Sequence, residues 1–129
     1  MWAVRAVRGA TTVASDEPEL VRAATRELLE AIVERNELTG DDLISAFFTV
    51  TGDLTSEFPA LAAREMGWTD VPLLCALEIP VRGALPRCVR VLLHVASDQP
   101  RSAIEHVYLG PAVALRPDLA ASSAPAPAR

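Results

Sequence analysis

Lysine is absent from this 129-residue sequence, in which all 12 basic residues are arginine. Without lysine, the chain has no amine for a Schiff base and no P-loop lysine to hold a nucleotide phosphate. A glycine-rich phosphate loop and a nucleophile elbow around serine are missing too. Any enzymatic activity must therefore depend on electrostatics and on the shape of a site.

Cysteine and histidine are scarce. Cys75 and Cys88 lie in no paired zinc or redox spacing, and we interpret both as buried strand thiols. His94 and His106 are isolated in the sequence, so we predict structural roles for them and no metal site. The unpaired cysteines suit a reducing compartment, and neither a secretory leader nor an apolar run of transmembrane length is evident. We expect a cytoplasmic protein.

Aromatic residues are few, at 5% of a chain that is 50% hydrophobic, so the core must consist mainly of Ala, Val, Leu and Ile. The net charge of −5 argues against a nucleic-acid-binding surface or a basic membrane-binding face. Residues 1–119 are predicted to form one domain. Residues 120–129 are rich in Ala, Ser and Pro without hydrophobic periodicity, so we expect a flexible tail.

Hydrophobic periodicity predicts an α+β domain. Strands are expected at residues 2–8, 43–51, 71–79 and 88–96, with a short edge strand at 112–116. A long helix is expected between the capping residues Ser15 and Asp16 and Gly40, a short helix between Pro59 and Gly67, and one or two helical turns within residues 101–108. The predicted fold is a mixed β-sheet with both helices packed on one face.

The predicted strands are apolar on both faces, although two helices can cover only one face of the sheet. The other face needs a second apolar cover, and another copy of the chain supplies it most simply. We therefore predict an obligate homo-oligomer.

Two charged residues stand inside apolar strands. Arg90 lies within the run Cys88 to Leu93, and Glu78 lies within the run Leu73 to Ile79. Because an unpaired buried charge is costly, each needs a partner of opposite sign. Two interpretations are open: the residues form a structural ion pair with each other, or they line a site for a small, anionic, hydroxylated ligand.

Three further candidates have an ambiguous sequence context. Arg8 can bind a carboxylate through its planar guanidinium or simply face solvent, and Arg116 can be a flexible gate residue or an ordinary surface charge. Tyr108 can donate to a carboxylate or pack on the core. From the residues alone, the structural interpretation is favoured for each.

Taken together, five sequence blocks resemble the monofunctional chorismate mutases of the AroH class. The blocks are Val7 to Thr12, Glu57 to Ala60, Val71 to Glu78, Cys88 to Val91, and His106 to Leu109 with Leu115 to Leu119. Their order and spacing cover nearly the whole chain up to Leu119. The resemblance implies a pseudo-barrel homotrimer with active sites between subunits, which rearranges chorismate to prephenate in aromatic amino-acid biosynthesis without a metal or a cofactor.

The resemblance also implies roles for individual residues. The implied catalytic residues are Arg90, Glu78 and Arg8. The implied substrate-binding set is Arg8, Phe58, Arg64, Cys75, Glu78, Arg90, Tyr108, Leu115 and Arg116. In this scheme Arg90 faces the ether oxygen, where negative charge develops, and Glu78 accepts a hydrogen bond without transferring a proton.

The sequence departs from the family pattern at Leu61, where a basic side chain is expected, and at Leu74, where a polar one is common. These departures concern contacts at the rim of the site. Two other interpretations remain: a non-catalytic trimeric module that binds a small carboxylate, and a purely structural oligomer in which Glu78 and Arg90 pair.

Overall fold

The computed structural model describes residues 2–118, which form one five-stranded sheet and two α-helices. The strands are β1 (Ala3–Thr12), β2 (Leu43–Val50), β3 (Leu73–Leu77), β4 (Cys88–Ser97) and β5 (Val107–Tyr108). The helices are α1 (Pro18–Arg35) and α2 (Ala60–Glu65), and short 3₁₀ helices span Gly40–Asp42, Arg101–Ala103 and Gly110–Leu115. The predicted tail, residues 120–129, and the predicted domain end at residue 119 lie outside the described residues.

The strand order is β3-β2-β4-β1-β5. Strand β4 runs antiparallel to both of its neighbours, β1 and β2, whereas β3 and β5 pair in parallel with β2 and β1. The sheet is therefore mixed, and the predicted α+β class is confirmed. No helix among residues 2–118 is both long and apolar enough to cross a membrane.

Both helices cover the same face of the sheet, as predicted. Ile32 of α1 and Ala63 of α2 share one buried cluster with Val7 and Leu93, which are paired across β1 and β4. Gly9 lies on this face, and a Cβ at that position would stand 2.8 Å from the Cδ1 atom of Ile32. Glycine is required there because the helix packs closely against the backbone.

Strand β1 extends beyond its predicted end at residue 8. Gly9, the residue just past that predicted end, continues the strand, and pairing with β4 extends from Ala3 to Thr12. Helix α1 begins at Pro18, and neither Ser15 nor Asp16 caps it, since the N-cap residue is Glu17, whose side chain makes no capping hydrogen bond to the helix. The Asp16 carboxylate binds a different loop, described below.

The C-terminal region differs most from expectation. An edge strand was predicted at residues 112–116, but residues 112–115 belong to the 3₁₀ helix Gly110–Leu115 and Arg116 follows it. This helix begins with Gly110, at a positive φ of 55°, and Pro111. The edge strand is instead β5, within a segment predicted to be helical. Val107 is β-branched and fully buried, which favours a strand over a helical turn.

The other face of the sheet is covered at one end, where Ala10 and Cys88 pack with Tyr108 and Ala112, and the rest of it has no cover within residues 2–118. We call this surface, formed by Trp2, Val4, Phe47, Leu74 and Leu92, the open face. Its side chains remain exposed, by 63% for Trp2, 61% for Val4 and 62% for Leu74. The sheet therefore has the uncovered apolar face that the two-sided apolar strands predicted, and surfaces of this kind are typical of interaction sites.

Candidate active site

A row of residues crosses the sheet at one level on the side of the open face. Strand pairing places Thr49 of β2 beside Arg90 of β4, Arg90 beside Ala10 of β1, and Ala10 beside Tyr108 of β5. Glu78 follows β3 directly and extends the row at its other end. We call Glu78, Thr49, Arg90, Ala10 and Tyr108 the site row.

A cavity of about 560 Å³ lies over the site row. Arg8, Glu78, Arg90 and Tyr108 line it, together with Thr49 and apolar residues of the neighbouring strands. Ala10 itself is fully buried under its neighbours and does not line the cavity. Strand geometry thus brings together four of the residues that the sequence singled out.

Arg90 and Glu78 form a bidentate ion pair. Arg90 donates from Nε to Oε2 of Glu78 at 2.8 Å, and it donates from Nη2 to Oε1. The hydrogen bonds from Arg90 and Thr49 lower the pKa of Glu78, although burial opposes them, and the bond to Glu78 raises the pKa of Arg90. Both groups are therefore charged at neutral pH, so Glu78 is a hydrogen-bond acceptor and not a proton donor.

The ion pair leaves the Nη1 edge of the guanidinium available for another contact. Within residues 2–118 no hydrogen bond involves Nη1 of Arg90, and the Arg90 side chain is 42% exposed whereas Glu78 is only 14% exposed. The structural pairing anticipated from the sequence is therefore present. It also holds a cation in a fixed orientation at the wall of a cavity, as the ligand-site interpretation requires.

The start of β4, which carries Arg90, is held by its own hydrogen bonds. The backbone N–H of Arg87 donates to Asp53 at 2.9 Å, and the backbone N–H of Cys88 donates to the Thr51 hydroxyl at 2.9 Å. Arg87 has a positive φ of 46°, a conformation that side chains adopt rarely. These contacts fix the turn from which Arg90 extends.

Tyr108 is 6% exposed and packs in a small cluster with Ala10, Cys88, Ala112 and Leu115. Burial raises the pKa of the Cys88 thiol to about 11, so this cysteine is an apolar filler as predicted. Leu115 therefore lies next to Tyr108 at one end of the site row. Of the two roles that the sequence left open for Tyr108, packing on the core is confirmed, and the residue also lines the cavity.

Arg116 lies near the same end of the site row. Its Nη2 donates to Oδ2 of Asp118 at 2.9 Å and its Nε to Oδ1 at 3.1 Å, and this pairing raises its pKa. Its positive charge lowers the pKa of His106. Its interaction with Tyr108 contributes to its own raised pKa.

Phe58 and Cys75 line a second cavity, of about 350 Å³, beyond the edge strand β3. Leu77 is shared by the two cavities. Phe58 is 66% exposed, and Cys75 is exposed as well, so the prediction of a buried thiol at Cys75 was wrong. Because β3 is at the edge of the sheet, no further strand covers Cys75.

Arg64 lies near the end of α2, is exposed, and lines neither cavity. Within one chain, the predicted site residues therefore form two groups and one outlier. Arg8, Glu78, Arg90 and Tyr108 share the first cavity, with Leu115 and Arg116 adjacent to it. Phe58 and Cys75 share the second.

Thr49 is a site-row residue that the sequence analysis missed. Its hydroxyl donates to Oε2 of Glu78, the oxygen that also accepts the Arg90 Nε bond. The available signal was a single hydroxyl side chain within the apolar strand Phe47 to Val50. That signal is weak because threonine is common in strands for steric reasons alone.

Asp16 anchors the loop that carries Phe58. Its carboxylate accepts from the backbone N–H of Thr55 and of Ser56, both at 3.0 Å, and from the Thr55 hydroxyl at 2.9 Å. The nearby Ser56 side chain, followed by the Thr55 backbone N–H, lowers the pKa of Asp16 to about 2, although the Ser56 hydroxyl has no well-aligned hydrogen bond within residues 2–118. The carboxylate thus supplies acceptors for backbone N–H groups of a tight loop, where regular secondary structure provides none.

We expect Asp16→Asn to lower the melting temperature at pH 7 by a few degrees, because one amide oxygen cannot accept all of these bonds. The folded pKa of about 2 lies below the ordinary pKa of 3.8, so the carboxylate stabilises the fold fully above pH 3.8 and loses this effect as the pH falls through 2. Thermal unfolding of both proteins across this range should show their difference shrinking at low pH. A difference that does not depend on pH would contradict this account.

The cavity carries two arginine side chains, Arg8 and Arg90, in its lining, and a lining of this charge suits a small anionic ligand. The family model described as chorismate mutase type I matches residues 4–119. The chain belongs to the chorismate mutase type I family.

Curated relatives agree with this assignment. The chain is 53% identical over 117 residues to the chorismate mutase AroH of Thermus thermophilus, covering 90% of this chain and 96% of the relative. It is 44% identical over 117 residues to the chorismate mutase AroH of Bacillus subtilis strain 168, covering 90% and 92% of the two chains. A solved chorismate mutase structure from Clostridium thermocellum superposes with a TM-score of 0.83 at 49% identity, covering 84% of this chain and 97% of that one.

Proposed function

We propose that this protein rearranges chorismate to prephenate in the cavity over the site row, with Arg90 as the main electrostatic catalyst. The chain is a chorismate mutase by family, an isomerase of the aromatic amino-acid pathway. The observation that carries the proposed mechanism is the guanidinium of Arg90, which is oriented by Glu78 and faces a cavity also lined by Arg8 and Tyr108.

The reaction is an intramolecular rearrangement in which the ether C–O bond breaks ahead of C–C bond formation. Negative charge therefore grows on the ether oxygen in the transition state. A cation already held in place stabilises this charge better than water, which must reorient. In our proposal, Nη1 of Arg90 faces the ether oxygen, while Nε and Nη2 remain bound to Glu78.

Substrate orientation is the second contribution. Chorismate carries two carboxylates, and the reaction requires its compact, chair-like conformer. Arg8 and Tyr108 are proposed to bind carboxylate oxygens at the opposite end of the site row from Glu78, with Leu115 as an apolar wall and Arg116 near the entrance. Selecting this conformer on binding reduces the entropy that must still be lost at the barrier.

Glu78 is proposed to act as an ionised acceptor for the ring hydroxyl, as well as the partner of Arg90. The lowered pKa of its carboxylate supports this role, because such a group is ionised at neutral pH and is therefore a poor proton donor. This arrangement needs no proton transfer.

We further propose that the active unit is a homotrimer with its sites between subunits. Three features of the single chain support this proposal: the open face lacks a cover, Phe58 is largely exposed, and Phe58, Cys75 and Arg64 lie outside the first cavity. In an assembly, these three residues are proposed to face the first cavity of an adjacent copy. A cytoplasmic location is part of the same proposal, supported by the unpaired cysteines.

Thr49 is proposed to hold Glu78, so we expect Thr49→Val to lower kcat about fivefold to tenfold, the effect of one lost hydrogen bond to a charged group. Because the Thr49 bond lowers the pKa of Glu78, its removal should shift the acid limb of the kcat profile to higher pH. Steady-state kinetics between pH 3.5 and 8 would measure both effects. Thr49→Ser keeps the hydroxyl and should restore both values, whereas equal losses in the two variants would count against this role.

The test of the proposed function is purified protein with chorismate, followed by the loss of the conjugated-diene absorbance, with Arg90→Ala as the control. Rapid loss with the wild-type chain and not with the variant is the expected result. A carboxylate-binding module would bind prephenate without consuming chorismate, and that outcome would overturn the catalytic proposal.

A further inference from the structure

His106 makes an unusual contact with a backbone that belongs to the site. It lies immediately before β5, is half-buried, and accepts a hydrogen bond on Nδ1 from the backbone N–H of Arg8 at 2.9 Å. Pairing between β1 and β5 starts only at Gly9 and Val107. One residue earlier, the imidazole takes the place of the strand carbonyl that would otherwise bind this N–H.

The contact requires a neutral imidazole. A ring nitrogen that accepts a hydrogen bond carries no proton, so the proton of neutral His106 must be on Nε2. With a second proton, on Nδ1, both the imidazole nitrogen and the Arg8 backbone nitrogen would be donors. The hydrogen bond to Arg8 would then break. The contact therefore exists in one protonation state only.

The charged groups around His106 favour the same state. Burial is the largest influence that lowers its pKa from 6.5, followed by the charges of Arg8 on β1 and of Arg116 after the last 3₁₀ helix. Tyr108 of β5, Glu105 before it in sequence, and Asp118 paired with Arg116 are the other titratable groups of this region. At neutral pH the Arg8 backbone is thus held in place.

The segment that carries His106 is itself anchored. Asn36, at the end of α1, accepts from the backbone N–H of Glu105 at 2.8 Å and donates to its carbonyl at 2.9 Å. These paired bonds fix the residue that precedes His106. The segment that carries the imidazole is therefore held by hydrogen bonds, so the imidazole can fix the position of the Arg8 backbone.

We propose that neutral His106 is a positioning residue for Arg8, and that substrate binding weakens when His106 gains a proton. This inference rests on the proposed role of Arg8 in binding a substrate carboxylate. Protonation breaks the support of the Arg8 backbone, and it also places a second cation beside the guanidinium, which pushes the Arg8 side chain away from its binding position.

Two substitutions separate this role from simple packing. His106→Asn places an oxygen acceptor near the position of Nδ1 and does not titrate, whereas His106→Leu keeps comparable bulk without an acceptor. At pH 7.5, we expect KM for chorismate within about threefold of the wild-type value for the asparagine variant and about tenfold higher for the leucine variant, with kcat changed less.

The pH profile is the decisive measurement. As the pH falls below 6.5, KM of the wild-type chain should rise, whereas KM of His106→Asn should stay level until Glu78 begins to titrate at lower pH. His94→Asn is the matched control, since His94 contacts Ser45 and Phe47 and its removal should leave the rise in KM unchanged. Particle mass would confirm that each variant keeps the wild-type assembly.

Several outcomes would overturn the inference: an unchanged KM in His106→Leu, a wild-type rise in KM that persists in His106→Asn, or tighter binding at low pH. The last result would mean that a cationic His106 attracts the dianion directly. Imidazole ¹⁵N NMR on the intact chain tests the hydrogen bond without turnover and should show an unprotonated Nδ1. The pH dependence of prephenate affinity keeps the test separate from a failure of the proposed catalysis.

Discussion

Replacing Arg90 with alanine is expected to lower kcat/KM for chorismate by at least ~10³, roughly 4 kcal/mol, because it removes a preorganised donor to developing charge. The guanidinium is oriented before substrate arrives, since two of its nitrogens are bound to Glu78 and its strand is paired on both sides. Progress curves of diene absorbance at saturating and limiting chorismate would separate kcat from KM. Activity within about tenfold of wild type would reject the role of Arg90.

Arg90→Lys serves as the comparison variant. A lysine ammonium keeps the charge but cannot bind Glu78 through two nitrogens while directing a third toward substrate. We expect it to lose most of the activity as well, whereas near-normal turnover would argue that charge alone suffices. Thermal unfolding of both variants is needed, because removing the partner of Glu78 leaves a mostly buried carboxylate with Thr49 as its remaining side-chain partner.

Introducing a carboxylate on the open face is expected to abolish assembly and activity together. Val4 is 61% exposed in the single chain and lines neither of the two larger cavities, so Val4→Asp should not harm folding of one chain. In the proposed trimer, the carboxylate would be buried without a partner, at a cost of about 3–5 kcal/mol per subunit. Sedimentation should then show a monomer, with activity reduced by about 10² or more.

Leu20→Asp is the matched control. Leu20 is an exposed apolar residue in the first turn of α1, where the helix N-terminus favours a negative charge. The variant should keep the wild-type mass and activity. A Val4→Asp protein that remains trimeric and active would show that the open face is not the interface.

The fold was predictable to a large extent because apolar periodicity reports burial directly. Strands β2 and β4 were expected within one or two residues of their observed ends, and their two-sided apolar character indicated an uncovered sheet face. Gly9 misled the prediction of β1 because the sequence shows a residue that favours turns but not the helix that requires its missing side chain. Such close packing becomes visible only in three dimensions.

The C-terminal region was harder to predict because both of its short elements depend on their neighbours. Val107 and Tyr108 form a strand because β1 offers a free edge beside them, and the following residues turn into a 3₁₀ helix at Gly110. A two-residue strand carries almost no periodic signal. Local propensity therefore could not separate the two assignments.

Part of the candidate site was predictable from charge in apolar surroundings. Arg90 and Glu78 were identified because a charge inside a hydrophobic run requires a partner, and the structure pairs them. Thr49 and His106 were not assigned to the site, since a strand hydroxyl and a lone imidazole have ordinary structural explanations. Their importance comes from the atoms they contact, which sequence spacing does not reveal.

The position of β4 within the sheet bears on how the enzyme tolerates thermal motion. Strands at a sheet margin can detach locally at little energetic expense, whereas a strand paired along both sides separates only when the whole domain opens. Arg90 belongs to the second kind of strand, while Glu78 and Tyr108 stand at or next to the margins. Local opening at the periphery can therefore occur while the backbone that carries Arg90 stays paired on both sides.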